Sequence, residues 1–293
     1  MKDYLVRALT KDGNFRALVA STTLSVKVAQ RKHSCYPTAL VALGRAMTGA
    51  ALLAAAGLKE HQRLALKIEG NGPLQKILAE ADSSGAIRGY VAKPDIEIPT
   101  RNGKLDVASA IGRAGLLTIT KDLGLKEPYH GTVHLQTSEI AEDLAYYLTE
   151  SEQLPSAVGL GVYLEPEKGI RSAGGFLVQA LPNADPEMIE QITTQISQLP
   201  PITTLLKDKK VPEEILALIF QAIPYEILET KELFFRCSCS ISRVKNALIS
   251  LGKSELEAIM AEHGDAEVKC EFCRTRYVFP KEDLQEMIKN LEA

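Results

Sequence analysis

Four of the chain's five cysteines form two tight pairs near its C-terminus, Cys237-Ser238-Cys239 and Cys270-Glu271-Phe272-Cys273, with thirty residues between them. No other feature of the sequence constrains its folding as strongly. Four thiolates complete a tetrahedral ligand set and leave no position open for a substrate, which is the pattern of a structural zinc site. In the Cys-x-x-Cys half, a tight turn aims both sulfurs at one metal. In the Cys-x-Cys half, loss of the metal leaves two neighbouring sulfurs able to close a short disulfide. One Zn2+ per chain, held by Cys237, Cys239, Cys270 and Cys273, is the expected cofactor. Spacing alone leans towards a purely structural zinc and leaves a redox-switching one open.

The energetic setting explains what such a metal would do. The region 232–293 is about sixty residues, a size at which burial is marginal, and its bulky residues near the ligands are Phe234, Phe235, Phe272, Tyr277 and Phe279. Structural zinc contributes on the order of 10–16 kcal/mol of apparent binding energy, against a whole-domain stability of roughly 5–15. Metal loss should therefore unfold the unit outright. Thiolates are also the form that oxidants attack, and short strained disulfides are readily reduced again.

Upstream, the pattern predicts an α+β domain over residues 1–181 with mostly antiparallel pairing. Tyr4 to Thr10 and Phe15 to Ala20 read as a hairpin around Asp12-Gly13-Asn14. Helices are expected at 22–31 and 38–56, the second entered near Pro37. Strands are expected at Arg63–Glu69, Gln75–Ala81, Ala86–Ala92, Gly115–Thr120 and Gly131–Thr137, then a helix capped by Ser138 and a closing hairpin of Val158–Glu165 with Gly174–Leu181. Residues 182–231 change texture. Ile189, Ile192, Ile196 and Leu199 keep helical spacing, Pro200-Pro201 interrupts them, and Pro212 to Ile223 forms a second apolar helix. This stretch reads as a metastable helical linker that must lean on another surface, with 232–293 as the third unit.

Several function classes fall away. The segment Thr38 to Leu58 is apolar but carries Arg45 and many small residues, so a core helix is expected and no membrane partner. The N-terminus lacks an apolar h-region, which points to a cytoplasmic protein. The net charge is −3, and residues 231–293 hold ten Lys or Arg against eleven Asp or Glu, so no nucleic-acid partner is expected, although a zinc-stabilised nucleic-acid- or ribosome-binding protein is the alternative reading. Ala247 to Ser254 fits the loosest phosphate-loop pattern, but Val244, Ala247, Leu248 and Leu251 keep helical spacing, with Gly252 as a C-cap and Ser254 as the next N-cap. His130 and His134 fall in a strand pattern, His263 adds nothing to a filled tetrahedron, and Cys35 is isolated. No nucleophile–base constellation is visible, so the chain is not expected to be an enzyme, and catalytic residues are none.

At the level of whole motifs, Phe235-Arg236-Cys237-Ser238-Cys239-Ser240, Cys270-Glu271-Phe272-Cys273 and Tyr277 resemble the signature of the redox-regulated thirty-three-kilodalton heat-shock chaperone family. The likeness extends to Gly44-Arg45-Ala46, Gly70-Asn71-Gly72-Pro73-Leu74, Ile87-Arg88-Gly89-Tyr90-Val91, Ser151-Glu152-Gln153-Leu154-Pro155-Ser156 and Gly174-Gly175-Phe176-Leu177-Val178-Gln179, and covers essentially the whole chain. Ile241 stands where the family more often carries a charge, and Cys35 lies outside its cysteine pattern. The resemblance implies an ATP-independent holdase, inactive when reduced and zinc-bound, that serves in the oxidative stress response. It implies that oxidation pairs Cys237 with Cys239 and Cys270 with Cys273, releases zinc, and loosens the linker to capture unfolding client proteins. It further implies a homodimer in the active form.

Overall fold

The N-terminal hairpin forms as its turn residues require: β1 (Tyr4–Thr10) and β2 (Phe15–Ser21) pair antiparallel, and Gly13 supplies the left-handed φ of 75° between them. The computed structural model describes residues 2–165, 168–182 and 184–292. They divide into two compact units, Met1–Arg236 and Cys237–Ala293, the sequence reading having placed its boundaries at 181 and 231.

After the hairpin come α1 (Thr23–His33) and α2 (Pro37–Gly57). The largely apolar character of α2 is explained by its place in the core, where 83% of its most apolar window is buried. Its small residues let other elements come close: a Cβ on Gly44 would lie 2.6 Å from a Val162 methyl and 2.9 Å from a Val26 methyl. Next come β3 (Arg63–Gly70), β4 (Lys76–Asp82), β5 (Ala86–Val91), the short α3 (Val107–Ile111), β6 (Gly115–Asp122) and β7 (Tyr129–His134). In β3 the alternation is clean, with Leu64, Leu66 and Ile68 buried between exposed or half-buried neighbours, as expected for an antiparallel sheet with one wet face.

Then follow α4 (Ala141–Glu150), β8 (Ser156–Glu165) and β9 (Gly169–Ala180). Ser138 does not cap α4. Its hydroxyl donates to the Gly112 carbonyl at 2.6 Å, and the capping is done by Asp143. That carboxylate is fully buried and accepts the amides of Gln136 (2.7 Å), Thr137 (3.0 Å) and Ser138 (3.3 Å) on one oxygen and of Ile140 (3.1 Å) on the other. It thereby holds Ile140 at a φ of 70°, which a β-branched residue rarely adopts. Asp143→Asn turns one acceptor into a donor facing an amide, and should cost about 2–3 kcal/mol in a urea melt.

The segment after β9 contains α5 (Pro186–Ser197), α6 (Ile202–Lys207) and α7 (Pro212–Phe220), then β10 (Tyr225–Glu232) and β11 (Phe234–Phe235). Asp185 caps α5 by accepting the Glu187 amide, as the Asp-Pro pair predicts. Two elements here differ from the sequence expectation: α6 forms directly after Pro200-Pro201, and Tyr225–Glu232 is a strand. The first unit then has two sheets, of order β10-β1-β2-β9-β8 and β11-β5-β4-β3-β6-β7. All named pairs in them are antiparallel except β11 on β5.

The main core lies between the sheets around α2, with Leu5, Leu18 and Leu177 from one sheet and Leu66, Ile77 and Ile119 from the other. A second core lies on the opposite face of the five-stranded sheet. There Val6, Phe15, Val19, Phe176 and Val178 meet Ile192, Leu205, Ile215, Leu216, Ile219 and Phe220 of the three helices. The surface on which the linker helices lean is therefore this sheet. Phe234 and Phe235, read from sequence as near the cysteines, pair in parallel with Ala86 and Ile87, and Phe235 packs on the main core. Arg236 closes the unit, reaching Asp82 and the Ser84 hydroxyl, each at 3.0 Å.

Candidate metal centre

The second unit brings its cysteines together from two local structures. Cys237 and Cys239 lie in the extended stretch before α8 (Ile241–Ile249), whose N-cap is Ser240, accepting the Arg243 amide. The Arg243 guanidinium turns back to donate to the Ser238 carbonyl (3.0 Å) and hydroxyl (2.8 Å), fixing the backbone between the two cysteines. After α8 comes α9 (Lys253–His263), which starts at Gly252 with φ of 89°. Gly252 is thus the N-cap of α9 and Ser254 lies inside that helix, rather than the two capping roles read from sequence. Ala247 to Ser254 joins two helices and follows no strand, so the phosphate-loop pattern has none of its required context.

Cys270 and Cys273 sit in the turn of a hairpin formed by β12 (Ala266–Lys269) and β13 (Arg276–Phe279). The turn is tight: the Arg274 amide donates to the Cys270 carbonyl at 2.8 Å and the Cys270 amide to Thr275 at 2.9 Å, with Arg274 at a φ of 59°. The last helix, α10 (Lys281–Glu292), covers a core of Leu248, Leu256, Ala266, Phe279, Leu284, Met287 and Ile288. With Cys273, that is the whole buried hydrophobic set of this unit among the described residues.

The four Sγ atoms lie within 4.8 Å of one another. The Cys237–Cys270 separation is 3.7 Å and the Cys239–Cys273 separation 3.3 Å. Four sulfurs around one zinc at about 2.3 Å stand about 3.8 Å apart, so this cluster has the size and donor set for such an ion. Cys237, Cys239 and Cys270 are half-buried and Cys273 is buried. Polar neighbours complete the arrangement. The Tyr277 hydroxyl donates to Cys239 Sγ at 3.1 Å, and Thr275 Oγ1 lies 3.2 Å from Cys273 Sγ.

These contacts separate the thiols electrostatically. Burial opposes ionisation of Cys273, yet the Thr275 hydroxyl and amide and the neighbouring thiols outweigh it and lower its pKa to about 6. Burial pushes Cys239 up to about 12, with the other three cysteines adding to it and Tyr277 opposing. Tyr277 itself is raised to about 12, first by its bond to Cys239. A cation at the centre favours the thiolate at every position. Thr275 and Arg243 were not singled out in sequence, since neither spacing nor composition distinguishes a hydroxyl or guanidinium that folds back on a ligand loop.

Other sequence candidates lie elsewhere. His130 and His134 are exposed on β7, His130 sharing a 2.9 Å hydrogen bond with Thr120. His263 is exposed at the end of α9 beside Glu262, and Cys35 is buried in the main core.

Residues 3–280 match the family described as Hsp33 protein. The chain belongs to the Hsp33 family. Among Hsp33 relatives, the 33 kDa chaperonin of Geobacter sulfurreducens is 52% identical over 99% of this chain and 96% of its own length. That of Desulfotalea psychrophila is 50% identical over 100% of this chain and 99% of its own. The crystal structure of the Thermotoga maritima Hsp33 homologue superposes with a TM-score of 0.92 at 40% identity, covering 99% of both chains. The Hsp33 assignment thus holds for sequence and fold alike, including the segment that carries the cysteine cluster.

Proposed function

We propose that this chain is a redox-regulated, ATP-independent holdase, resting in a reduced form with one zinc ion on Cys237, Cys239, Cys270 and Cys273. The convergence of four sulfurs within 4.8 Å carries this reading, supported by membership of a family whose relatives are named chaperonins. Bound zinc would cross-link the Cys-x-Cys stretch to the hairpin turn and keep all four thiols ionised. Each pair of thiolates then loses two electrons to an oxidant such as hydrogen peroxide, forming one S–S bond. Two such events consume every ligand.

The pairing we propose is Cys237 with Cys239 and Cys270 with Cys273, neighbours in sequence, although Cys237–Cys270 and Cys239–Cys273 are short sulfur–sulfur contacts in the reduced arrangement. Peptide mapping of the oxidised protein decides between the two patterns. Client capture would follow when 182–231 acts as a metastable linker and α5–α7 leave the apolar face of the five-stranded sheet. Unfolding proteins are the partners, and the active form is a cytoplasmic homodimer.

The test is treatment with peroxide, followed by zinc titration and light scattering of an aggregating client. Release of zinc together with suppressed aggregation is the expected result. Oxidised protein that has lost zinc yet protects no client would overturn the chaperone reading. A neighbour of the ligands should matter as well. Tyr277→Phe removes a hydrogen bond to a ligand sulfur, and should weaken zinc affinity by roughly 10–100-fold in a chelator competition, leaving the hairpin fold in place.

A further inference from the structure

One cavity of the first unit has a lining that the chaperone reading does not use. It encloses about 310 Å³ where the turn after α6 faces α1, β8 and β9. Six cations line it, Lys2, Lys27, Arg171, Lys207, Lys209 and Lys210, against two carboxylates, Asp3 and Glu165. Both carboxylates are already engaged. Asp3 is buried and accepts the Leu24 and Ser25 amides of α1 at 2.9 and 2.7 Å, while Glu165 faces Lys168 and Arg171 at 3.3 and 3.6 Å.

The cations come from both sides of a seam. Lys207 ends α6 and Lys209 and Lys210 belong to the α6–α7 turn; Ser172 of β9 fixes this stretch by donating to the Leu206 carbonyl at 2.9 Å. Lys2, Lys27 and Arg171 belong to the body of the unit. Lys2, Arg171 and Lys210 have carboxylates at 3.8, 3.6 and 3.0 Å. Among the described residues, Lys27, Lys207 and Lys209 enter no ion pair, Lys207 lying instead over the Tyr163 ring at 6.0 Å. Like charges facing one another across a seam oppose its closure. A multiply charged anion between them reverses the sign of that interaction.

From this geometry we infer a binding site for an oligophosphate anion that straps the α6–α7 turn to α1 and β9. The volume is at the small end for a ligand site. The charge exceeds what a single carboxylate or chloride would balance, and lysine suits phosphate as a compact point charge. Occupancy holds the helical segment down, so the anion acts against opening of the linker. The site itself does not depend on the chaperone reading.

The experiment uses the full reduced chain with tripolyphosphate as probe, by titration calorimetry at low ionic strength and by hydrogen exchange of α6. One-to-one binding is expected, with slower exchange in α6. The combined Lys27→Ala, Lys207→Ala and Lys209→Ala variant should bind roughly tenfold more weakly or worse. Lys59→Ala, Lys104→Ala and Lys126→Ala together change the net charge equally on exposed residues outside the cavity, and should leave binding intact. ATP binding as tightly as tripolyphosphate would support recognition of the phosphate chain, whichever molecule carries it. Absence of binding, equal weakening by both triple variants, or unchanged exchange in α6 would each overturn the inference.

Discussion

Replacing Cys270 by Ser, or stripping metal with a chelator, is expected to abolish amide protection throughout the second unit while the sheets of the first keep theirs. The size of the effect follows from the small apolar core of that unit. Seven buried residues, with Phe279 the one aromatic among them, must offset the ordering of fifty-seven residues from Cys237 to Ala293. Ordering costs about 1–2 kcal/mol per residue in backbone entropy alone. A metal bound by the four sulfurs, contributing on the order of 10–16 kcal/mol, would decide that balance. The sheets of the first unit rest on the main core around α2, which none of those four ligands enters. Hydrogen exchange read by mass spectrometry resolves the two halves in one experiment. Retained protection of β12, β13 and α10 in the Cys270→Ser protein would show that the apolar core folds unaided.

The second large effect concerns the linker helices. Phe220 is fully buried where α7 meets the sheet, and its ring lies 5.1 Å from that of Tyr225. Phe220→Ala should cost about 3–5 kcal/mol, as truncation of a buried aromatic ring does. The loss falls on the contact between α5–α7 and the outer face formed by Val6, Phe15, Val19, Phe176 and Val178. Faster proteolysis within 186–220 and binding of a hydrophobic dye are the direct signs. The functional consequence is sharper: the reduced variant should suppress client aggregation without peroxide. A Phe220→Ala protein that opens there but still needs oxidant to protect a client would separate exposure of this face from chaperone activity.

The sequence carried some of these features plainly and others hardly at all. The hairpin at Asp12-Gly13, the core helix opened by Pro37 and the Cys-x-x-Cys turn each depend on local chemistry, so local pattern suffices to find them. The strand Tyr225–Glu232 has no such signal. Tyr-Glu-Ile-Leu-Glu-Thr-Lys-Glu lacks an apolar alternation because it is an edge strand, with Ile227 and Leu228 both exposed. What holds it is backbone pairing to β1, about 220 positions away, and the Arg7–Glu229 ion pair at 2.9 Å. Nor could Asp143 be recognised as the cap of α4, since it acts from inside the helix on the loop before it. The need of 182–231 for a supporting surface was legible in its apolar spacing. Which surface it meets was not, because that contact joins residues far apart in sequence.

That edge strand also changes what the departure of the helices can be. With β9 before them and β10 after them in one sheet, α5–α7 form a loop with both feet planted, not a free arm. Such a loop can lift from its seat without diffusing away, and its return is a unimolecular event at high effective concentration. If clients take that apolar face, as proposed, they would compete with the protein's own tethered segment for it. On that proposal, release would need no energy source beyond restoration of the helices' grip, and reversibility would be a property of how the chain is threaded.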